Sequence, residues 1–338
     1  MTAVLDALNA ALHRAFASDE RVILLGEDVL DPYGGAFRVT RGLSTAYPSR
    51  VLSTPISEGA IVGAGAGMAL RGMRPVVEIM FGDFITLAAD QLINHASKFR
   101  WMYADQVRVP LVLRTPMGGR RGYGPTHSQT LEKLFLGAPG LQILAPTSVG
   151  DPGELLYRAI LETQDPILFI ENKLQYLLPV LEASELEEFR ITTHTSSMIP
   201  QAPTYTLAIQ GAPAPVLTMT AYGYMAELAR QALLKLAYEH EIFAELVVPT
   251  RLAPSEMQPI LTSVMQTGRL LTIEEGTRSL GWGSEVLAAC SEQLGSRLRQ
   301  SYRLAARDLP IPASGPLEAA VLPGLDEIIQ AAHKLTRG

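Results

Sequence analysis

The chain lacks several features that mark common classes of protein. Its 338 residues include one cysteine, Cys290, so an intramolecular disulfide is excluded and a reducing compartment is expected. No apolar run reaches about 18 residues, and the N-terminal segment has no basic region followed by a hydrophobic core. The net charge of -6 argues against a partner held through nucleic-acid phosphates. We therefore expect a soluble, cytoplasmic protein with neither a membrane nor a nucleic-acid partner.

Apolar residues are abundant instead. Hydrophobic residues make up 47% of the chain and charged residues 18%, which is typical of a globular protein with a large core, part of which can be subunit interface. The length is sufficient for two domains of ordinary size.

Strands and helices alternate on both sides of a break in the pattern. Residues 1–171 form the first alternation, which includes a predicted long helix at 85–103 and a predicted helix that begins near Ser128. Residues 172–215 are acidic and rich in proline, serine and threonine, which is typical of an interdomain linker and leaves room for an edge strand. Residues 216–338 form the second alternation. The sequence thus predicts an α/β fold of two doubly wound domains, whose ligands gather at the carboxyl ends of parallel strands.

A glycine-rich helix is the most informative stretch. A short strand at 51–53 is stopped by Pro55, Ser57 is a candidate N-cap, and a helix is predicted from Glu58 to Arg71. Its glycines at 59, 63 and 67 recur every four residues, although each costs about 1 kcal/mol against alanine. Such a face suits the close approach of another backbone or of a flat ligand.

Glu58, in the first turn of this helix, has two interpretations. A carboxylate there complements the helix dipole and adds a fraction of a kcal/mol. Alternatively, a carboxylate directed into a tight interface is partly desolvated, has a raised pKa, and can share a proton with a ring nitrogen. A dinucleotide-binding motif is disfavoured, because the Gly-Ala-Gly-Ala-Gly run at 63–67 falls inside the helix rather than at a strand-to-helix turn.

The order of motifs resembles a known family. Thr-Pro-Ile-Ser-Glu at 54–58 is followed by Arg-Pro at 74–75, Phe-Gly-Asp-Phe at 81–84 and Asp-Gln-Leu-Ile-Asn at 90–94. This order is similar to the beta subunit of the thiamine-diphosphate-dependent decarboxylating component of 2-oxo acid dehydrogenase complexes, in the transketolase superfamily. The resemblance covers nearly the whole chain. It implies a pyrimidine-binding domain followed by a transketolase C-terminal-like domain.

The resemblance also implies which residues meet the cofactor. In the family the glutamate at the position of Glu58 contacts N1′ of the aminopyrimidine, and the aromatic at Phe84 packs against that ring. Ile56, within the same motif, is a further candidate for cofactor binding. Glu27, in the Gly-Glu-Asp after the first strand, is a secondary candidate, and a solvated loop carboxylate is an equally good interpretation of it.

His127 is the histidine that the resemblance selects. It lies in a glycine-rich loop before Ser-Gln at 128–129, where Thr126 and Gln129 could also form a capping box. The family carries His-Ser-Gln here, and the histidine transfers protons around the bound intermediate and helps acyl delivery. Thr126 stands where many relatives have a second histidine, which leaves the acyl acceptor open. Arg120 and Arg121 could meet a carboxylate, a phosphate or an acidic partner, or remain solvated.

The magnesium signature of the superfamily is missing from this chain. Gly-Asp at 82–83 is followed by phenylalanine rather than glycine, and no two asparagines are adjacent. The resemblance therefore implies an alpha subunit that supplies the diphosphate and Mg²⁺ contacts, in an α2β2 heterotetramer. Relatives also hold a monovalent ion, K⁺, through main-chain carbonyls, here those of Leu111, Ala159 and Ile160.

The resulting hypothesis is a catalytic beta subunit. With an alpha partner it would decarboxylate a 2-oxo acid on thiamine diphosphate and transfer the acyl group to a lipoyl carrier. The same chemistry could deliver the group to a carrier-protein thiol or to an aldehyde. A non-catalytic scaffolding subunit is the alternative of another class, and it would need neither Glu58 nor His127.

Overall fold

A computed structural model describes residues 2–181, 183–195 and 202–337, with the side chains of residues 183 and 184 excluded. The chain divides into two compact units. The first comprises Met1–Met117 and Leu134–Val180, and the second comprises Gly118–Lys133 and Leu181–Gly338. Over the described ranges, no helix has the length and apolar character needed to cross a membrane.

The first unit is a parallel sheet with helices. Its helices are α1 (Val4–Ser18), α2 (Leu43–Ala46), α3 (Glu58–Leu70), α4 (Phe99–Met102) and α5 (Pro152–Glu162). Its strands are β1 (Val22–Gly26), β2 (Val51–Ser53), β3 (Arg74–Glu78), β4 (Val112–Met117), β5 (Gln142–Leu144) and β6 (Ile167–Asn172). They run in the order β5-β6-β4-β3-β1-β2, and every neighbouring pair is parallel. All residues of β1, β3, β4 and β6 are buried, as expected for a sheet covered on both faces.

The register of the central strands fixes which residues meet at one edge. Gly26 at the end of β1 lies opposite Ser53 of β2 and Glu78 of β3. Because parallel strands end on the same side, the residues that follow these three strands emerge together. Glu27, Glu58 and Phe84 are all carried by these segments.

Helix α3 begins at Glu58, as predicted, and its glycines allow close packing. A Cβ on Gly59 would lie 3.2 Å from the carbonyl oxygen of Leu87, so another backbone does approach this face. A Cβ on Gly65 would lie 2.9 Å from Cγ2 of Val77 in β3, whereas one on Gly67 would meet nothing within 4 Å. Gly65 therefore allows α3 to lie close against β3.

The prediction of one long helix at 85–103 is wrong. The segment forms a 3-10 helix at Gly82–Ala88, a π-helical turn at Gln91–Ala96 and then α4. The amide of Ser97 bonds to the carbonyl of Leu92, five residues back. Ile85, Ala88, Leu92 and Ala96 are buried at spacings that fit an α-helix, so periodicity alone could not reveal the change in winding.

The predicted helix near Ser128 is also absent. Only a 3-10 turn at Glu132–Leu134 forms. The carbonyl of Gln129 instead accepts a hydrogen bond from the amide of Gly118 at 3.2 Å, which closes a loop rather than starting a helix. The capping box at Thr126 does not form for the same reason.

The second unit is a mixed sheet with helices. Its strands are β7 (Phe189–His194), β8 (Thr204–Ile209), β9 (Leu217–Ala221), β10 (Ala244–Pro249), β11 (Arg251–Ala253), β12 (Arg269–Thr277) and β13 (Gln300–Ala306). Its helices are α6 (Gly223–His240), α7 (Gln258–Thr267), α8 (Trp282–Leu294), α9 (Gly315–Val321) and α10 (Leu325–Thr336). The sheet order is β13-β12-β9-β10-β8-β7, in which β8 is antiparallel to both β10 and β7.

The segment predicted as a linker contributes two of these strands. β7 and β8 pair from Phe189 opposite Ile209 to His194 opposite Thr204. β7 is largely exposed, which is typical of an edge strand and explains its weak sequence signal. Residues 196–201 of the predicted linker lie outside the described residues.

A buried acid lies within β12. Glu274 is fully buried, and its Oε1 accepts a hydrogen bond from the amide of Gly283, at the start of α8, at 3.0 Å. Its Oε2 has no hydrogen-bond partner among the described residues. Burial, with the nearby charge of Glu132, raises the pKa of Glu274 from its usual 4.5 to about 8. Cys290, in α8, is buried as predicted, and burial raises the pKa of its thiol to about 11.

We expect the two glycine substitutions Gly65→Ala and Gly67→Ala to change stability in opposite directions. The first forces a methyl group against Val77 and should lower the free energy of unfolding by about 1–3 kcal/mol. The second adds helix propensity in open space and should raise it by up to about 1 kcal/mol. Urea unfolding of both variants measures the difference; equal effects would contradict the packing described for α3.

We expect the stability of the chain to fall as the pH rises from about 4.5 to about 8. In this range folded Glu274 keeps a proton that the unfolded chain has released, because its pKa is raised from 4.5 to about 8. Glu274→Gln should remove this part of the pH dependence, whereas Glu285→Gln, at an exposed position of α8, should leave it. Thermal unfolding across this pH range tests both; identical slopes in wild type and Glu274→Gln would contradict the assignment.

Candidate active site

Two carboxylates meet at the carboxyl edge of the first sheet. Glu27 follows β1, and Glu58 follows β2 after the break that Pro55 makes. The amide of Thr54 bonds to the carbonyl of Gly26 at 3.0 Å, which extends the pairing beyond β2 and fixes where the chain turns into α3. Ser57 occupies the N-cap position, as predicted, but its side chain makes no capping hydrogen bond.

The two carboxylates are both buried and interact electrostatically. Each residue is 6% exposed. Burial raises the pKa of Glu27, and the neighbouring charges of Glu58 and Asp28 add to that effect. The amide of Ser57 donates to the Glu27 carboxylate, yet Oε1 of Glu27 has no hydrogen-bond partner among the described residues. A buried acceptor without a donor is costly, so this atom suits a ligand that carries an N–H group.

Phe84 and Ile56 lie on segments at the same edge. Phe84 is half-buried in the 3-10 helix at Gly82–Ala88, and its ring contacts Phe81 edge-on with the ring centroids 6.0 Å apart. Gly82 lies against Met117, where an added Cβ would be 2.3 Å from Cγ of that side chain, so this turn is closely held. Ile56 is 82% exposed.

His127 lies on the loop of the second unit. Its Nδ1 is 3.0 Å from Oγ1 of Thr126, and its amide bonds to the carbonyl of Gly124 at 3.4 Å. If the threonine hydroxyl donates to Nδ1, the neutral ring carries its proton on Nε2. The threonine found in place of a second histidine therefore contacts the ring of His127.

Arg120 is bound within its own unit. Its Nη2 donates to the carbonyl of Pro323 at 2.6 Å, and its guanidinium lies 5.7 Å from the ring centroid of Tyr224. These contacts anchor the loop, which is a role that the sequence did not suggest for this arginine. Arg121 is half-buried on the same loop.

Sequence reasoning missed a buried charge network at the ends of the central strands. Arg114 of β4 donates to Glu78 of β3 at 2.7 Å and to Glu171 of β6 at 2.8 Å, and Tyr176 donates its hydroxyl to Glu171. Burial raises the pKa of Glu78 and of Tyr176. Charged residues inside otherwise apolar parallel strands are the signal that could have revealed this network.

The carbonyls predicted to hold a monovalent ion already accept hydrogen bonds. The carbonyl of Leu111 accepts from the amide of Ile167 at 2.8 Å. That of Ala159 accepts from Oγ1 of Thr163 at 2.5 Å. The carbonyl of Ile160 accepts from Arg74. The described residues also contain no cluster of three or more histidine, cysteine, aspartate or glutamate side chains that could hold a metal.

Arg74 places a positive charge at these carbonyls. It is 5% exposed, and its Nη1 donates to the carbonyl of Ile160 at 2.7 Å and to that of Thr163 at 3.1 Å. A second cation there would face the guanidinium in a poorly screened interior. The position of Arg74 therefore disfavours a monovalent ion at these carbonyls, and the ion site stays a prediction.

We expect the thermal stability of the chain to be the same in potassium chloride and in a bulky organic chloride salt of equal ionic strength. Arg74→Met should lower the free energy of unfolding, because two buried carbonyls lose a charged donor worth roughly 1.5–3 kcal/mol in typical cases. Arg71→Met, at an exposed position, is the matched control. Saturable stabilisation of the wild-type chain by potassium would contradict the expectation that the two salts have the same effect.

The comparisons with known proteins agree with this architecture. Residues 1–178 match the family described as "Transketolase, pyrimidine binding domain", and residues 209–328 match "Transketolase, C-terminal domain". A solved structure titled "Split gene transketolase, inactive beta4 tetramer" superposes with a TM-score of 0.76 at 19% identity, and the match covers 100% of this chain and 99% of that one. The predicted α/β fold and domain types are confirmed.

Relatives with assigned names cover nearly the whole chain. The pyruvate dehydrogenase E1 component subunit beta-1 of Arabidopsis thaliana is 36% identical over 98% of this chain and 88% of its own length. The beta subunit of acetoin:2,6-dichlorophenolindophenol oxidoreductase from Cupriavidus necator is 34% identical over 98% and 96%. The 2-oxoisovalerate dehydrogenase subunit beta of Pseudomonas aeruginosa is 35% identical over 95% and 91%. The chain therefore belongs to the thiamine-diphosphate-dependent transketolase superfamily, in the family of E1 beta subunits of 2-oxo acid dehydrogenases.

Proposed function

We propose that this chain is the catalytic beta subunit of a 2-oxo acid dehydrogenase and supplies the pyrimidine half of a thiamine diphosphate site. The observation that carries the proposal is the buried pair Glu27 and Glu58, held at the carboxyl edge of a parallel sheet. Ligands of such folds bind at this edge. A catalytic subunit can use such an acid pair to exchange a proton with a ligand. A non-catalytic scaffold would gain nothing from burying two carboxylates at this edge.

The acid pair fits an aminopyrimidine. Glu58 would hold and share a proton with N1′ of the ring, and the partnerless Oε1 of Glu27 accepts a hydrogen bond from an N–H group. Because burial and the neighbouring charge of Glu58 raise the pKa of Glu27, Glu27 retains a proton more readily than an isolated glutamate does. When bound, thiamine diphosphate supplies the electron sink that decarboxylation of a 2-oxo acid requires.

The other predicted residues take supporting roles. Phe84 would pack its ring against the pyrimidine, and Ile56, now 82% exposed, would be covered by the cofactor or the partner chain. His127 would transfer protons at the carbonyl oxygen of the substrate, for which an imidazole suits neutral pH. The contact with Thr126 would orient its ring for that task.

An alpha subunit completes the proposed site. The sequence lacks the Gly-Asp-Gly and Asn-Asn elements that bind Mg²⁺ and diphosphate in the superfamily. We therefore assign those contacts to an alpha partner, in an α2β2 heterotetramer. Relatives named as E1 beta subunits support this assembly.

The relatives say less about the acyl acceptor and the substrate than about the family. We propose a lipoyl carrier as the acceptor, with a carrier-protein thiol or an aldehyde as the alternative. Relatives named for pyruvate, acetoin and 2-oxoisovalerate are 36%, 34% and 35% identical to the chain. Differences this small do not favour one substrate, and acetoin is not a 2-oxo acid, so the proposal of 2-oxo acids as a class is supported by the relatives named for pyruvate and 2-oxoisovalerate.

We expect Glu58→Gln to abolish most of the 2-oxo-acid-dependent reduction of an artificial electron acceptor. The assay uses this chain co-purified with its alpha partner, Mg²⁺ and thiamine diphosphate. Loss of a proton-transferring carboxyl should lower kcat by roughly 10²–10⁴-fold. Glu20→Gln, at an exposed position, is the control and should retain full activity.

Three outcomes would separate the alternatives. Activity that needs both chains and collapses in Glu58→Gln supports the proposal. Unchanged activity in Glu58→Gln indicates a scaffolding subunit. No activity with short, branched or aromatic 2-oxo acids, despite cofactor binding, points to carboligation or to transfer to a carrier-protein thiol.

A further inference from the structure

A buried acid in the second unit holds the backbone of the loop that carries His127. Glu318 lies in the first turn of α9 and is 3% exposed. Its Oε1 accepts a hydrogen bond from the amide of Arg120 at 2.7 Å, and its Oε2 accepts one from the amide of Gly122 at 3.2 Å. Both carboxylate oxygens are therefore committed to the loop, through bonds of the charge-assisted type.

The loop backbone has an unusual conformation where Glu318 holds it. Arg120 has a φ of +67° and Gly122 a φ of +69°. A non-glycine residue in this region is strained and persists only where its surroundings hold it. The two amides converge on one carboxylate because of these turns, as in other backbone arrangements that surround an anion.

Neighbouring contacts leave this part of the loop little freedom. A Cβ on Gly119 would lie 2.6 Å from Cδ1 of Leu322 and 3.0 Å from Oε1 of Glu318, so a larger residue would have to displace these side chains. The amide of Gly119 donates to Oε1 of Glu275 at 2.9 Å. Gly119, Arg120 and Gly122 are thus held by groups of the second unit, since Arg120 also bonds to Pro323.

His127 lies on the other arm of the same closed loop. The amide of Gly118 bonds to the carbonyl of Gln129, which joins the two ends. The arm that Glu318 holds and the arm that carries His127 are therefore joined both through the chain and through this hydrogen bond.

We propose that Glu318 is a positioning residue, which sets the loop at 118–129 and thereby the place of His127. The role of His127 in this inference rests on the proposed function. The contact between Glu318 and the loop does not, so the two can be tested separately.

Amide hydrogen exchange in the full chain tests the contact. In Glu318→Ala the amides of Arg120 and Gly122 should exchange at least about tenfold faster, because each loses a charged acceptor. Glu318→Gln keeps one acceptor oxygen and should show a smaller change. Glu327→Gln is the matched control, because Glu327 accepts a hydrogen bond from the amide of Gly324 at 3.0 Å, within its own helix terminus rather than from the loop. Unchanged loop exchange in Glu318→Ala would overturn the proposal.

Kinetics of the complex with the alpha partner test the positioning of His127. Glu318→Ala should lower kcat by roughly 10–100-fold, with Glu318→Gln intermediate. The double variant His127→Ala, Glu318→Ala should be no slower than His127→Ala alone, because both changes remove one function. Additive losses would overturn the positioning role. An inactive wild-type complex with faster loop exchange in Glu318→Ala would refute the proposed function and leave the contact established.

Discussion

The register of three strands determines what this chain can do. Gly26 lies opposite Ser53 on one side and Glu78 on the other, so the segments after β1, β2 and β3 leave the sheet at one edge. A shift of one residue would carry Glu27 and Glu58 away from each other. Buried groups reinforce the register, because Arg114 bonds to carboxylates of both neighbouring strands and would leave them uncompensated if a strand moved.

Both units contain buried carboxylates, but use them differently. In the first, burial raises the pKa of Glu27 beside Glu58, which suits proton exchange with a ring nitrogen. In the second, the buried carboxylates of Glu275 and Glu318 accept hydrogen bonds from backbone amides of the loop that carries His127. Under the proposed function, buried carboxylates of the first unit would exchange protons with a ligand, whereas those of the second unit hold a loop.

The sequence predicted those features that depend on residues close together in the chain. Helix α3 begins at Glu58 because Pro55 and the glycine run are local signals, and the α/β pattern follows from buried strands. The break in the predicted helix at 85–103 was hidden, because its buried residues keep an α-helical spacing. The loop contacts could not be predicted at all, since Glu275 and Glu318 lie 156 and 198 residues from the amides they bind.

The central claim is that this chain supplies only half of a thiamine diphosphate site. Isothermal titration of thiamine diphosphate, with Mg²⁺ present, into this chain alone, the alpha partner alone and the two together tests it most directly. The account predicts tight binding only when both chains are present, and weaker binding when Glu58→Gln replaces the wild-type chain. Equally tight binding to this chain alone would contradict it.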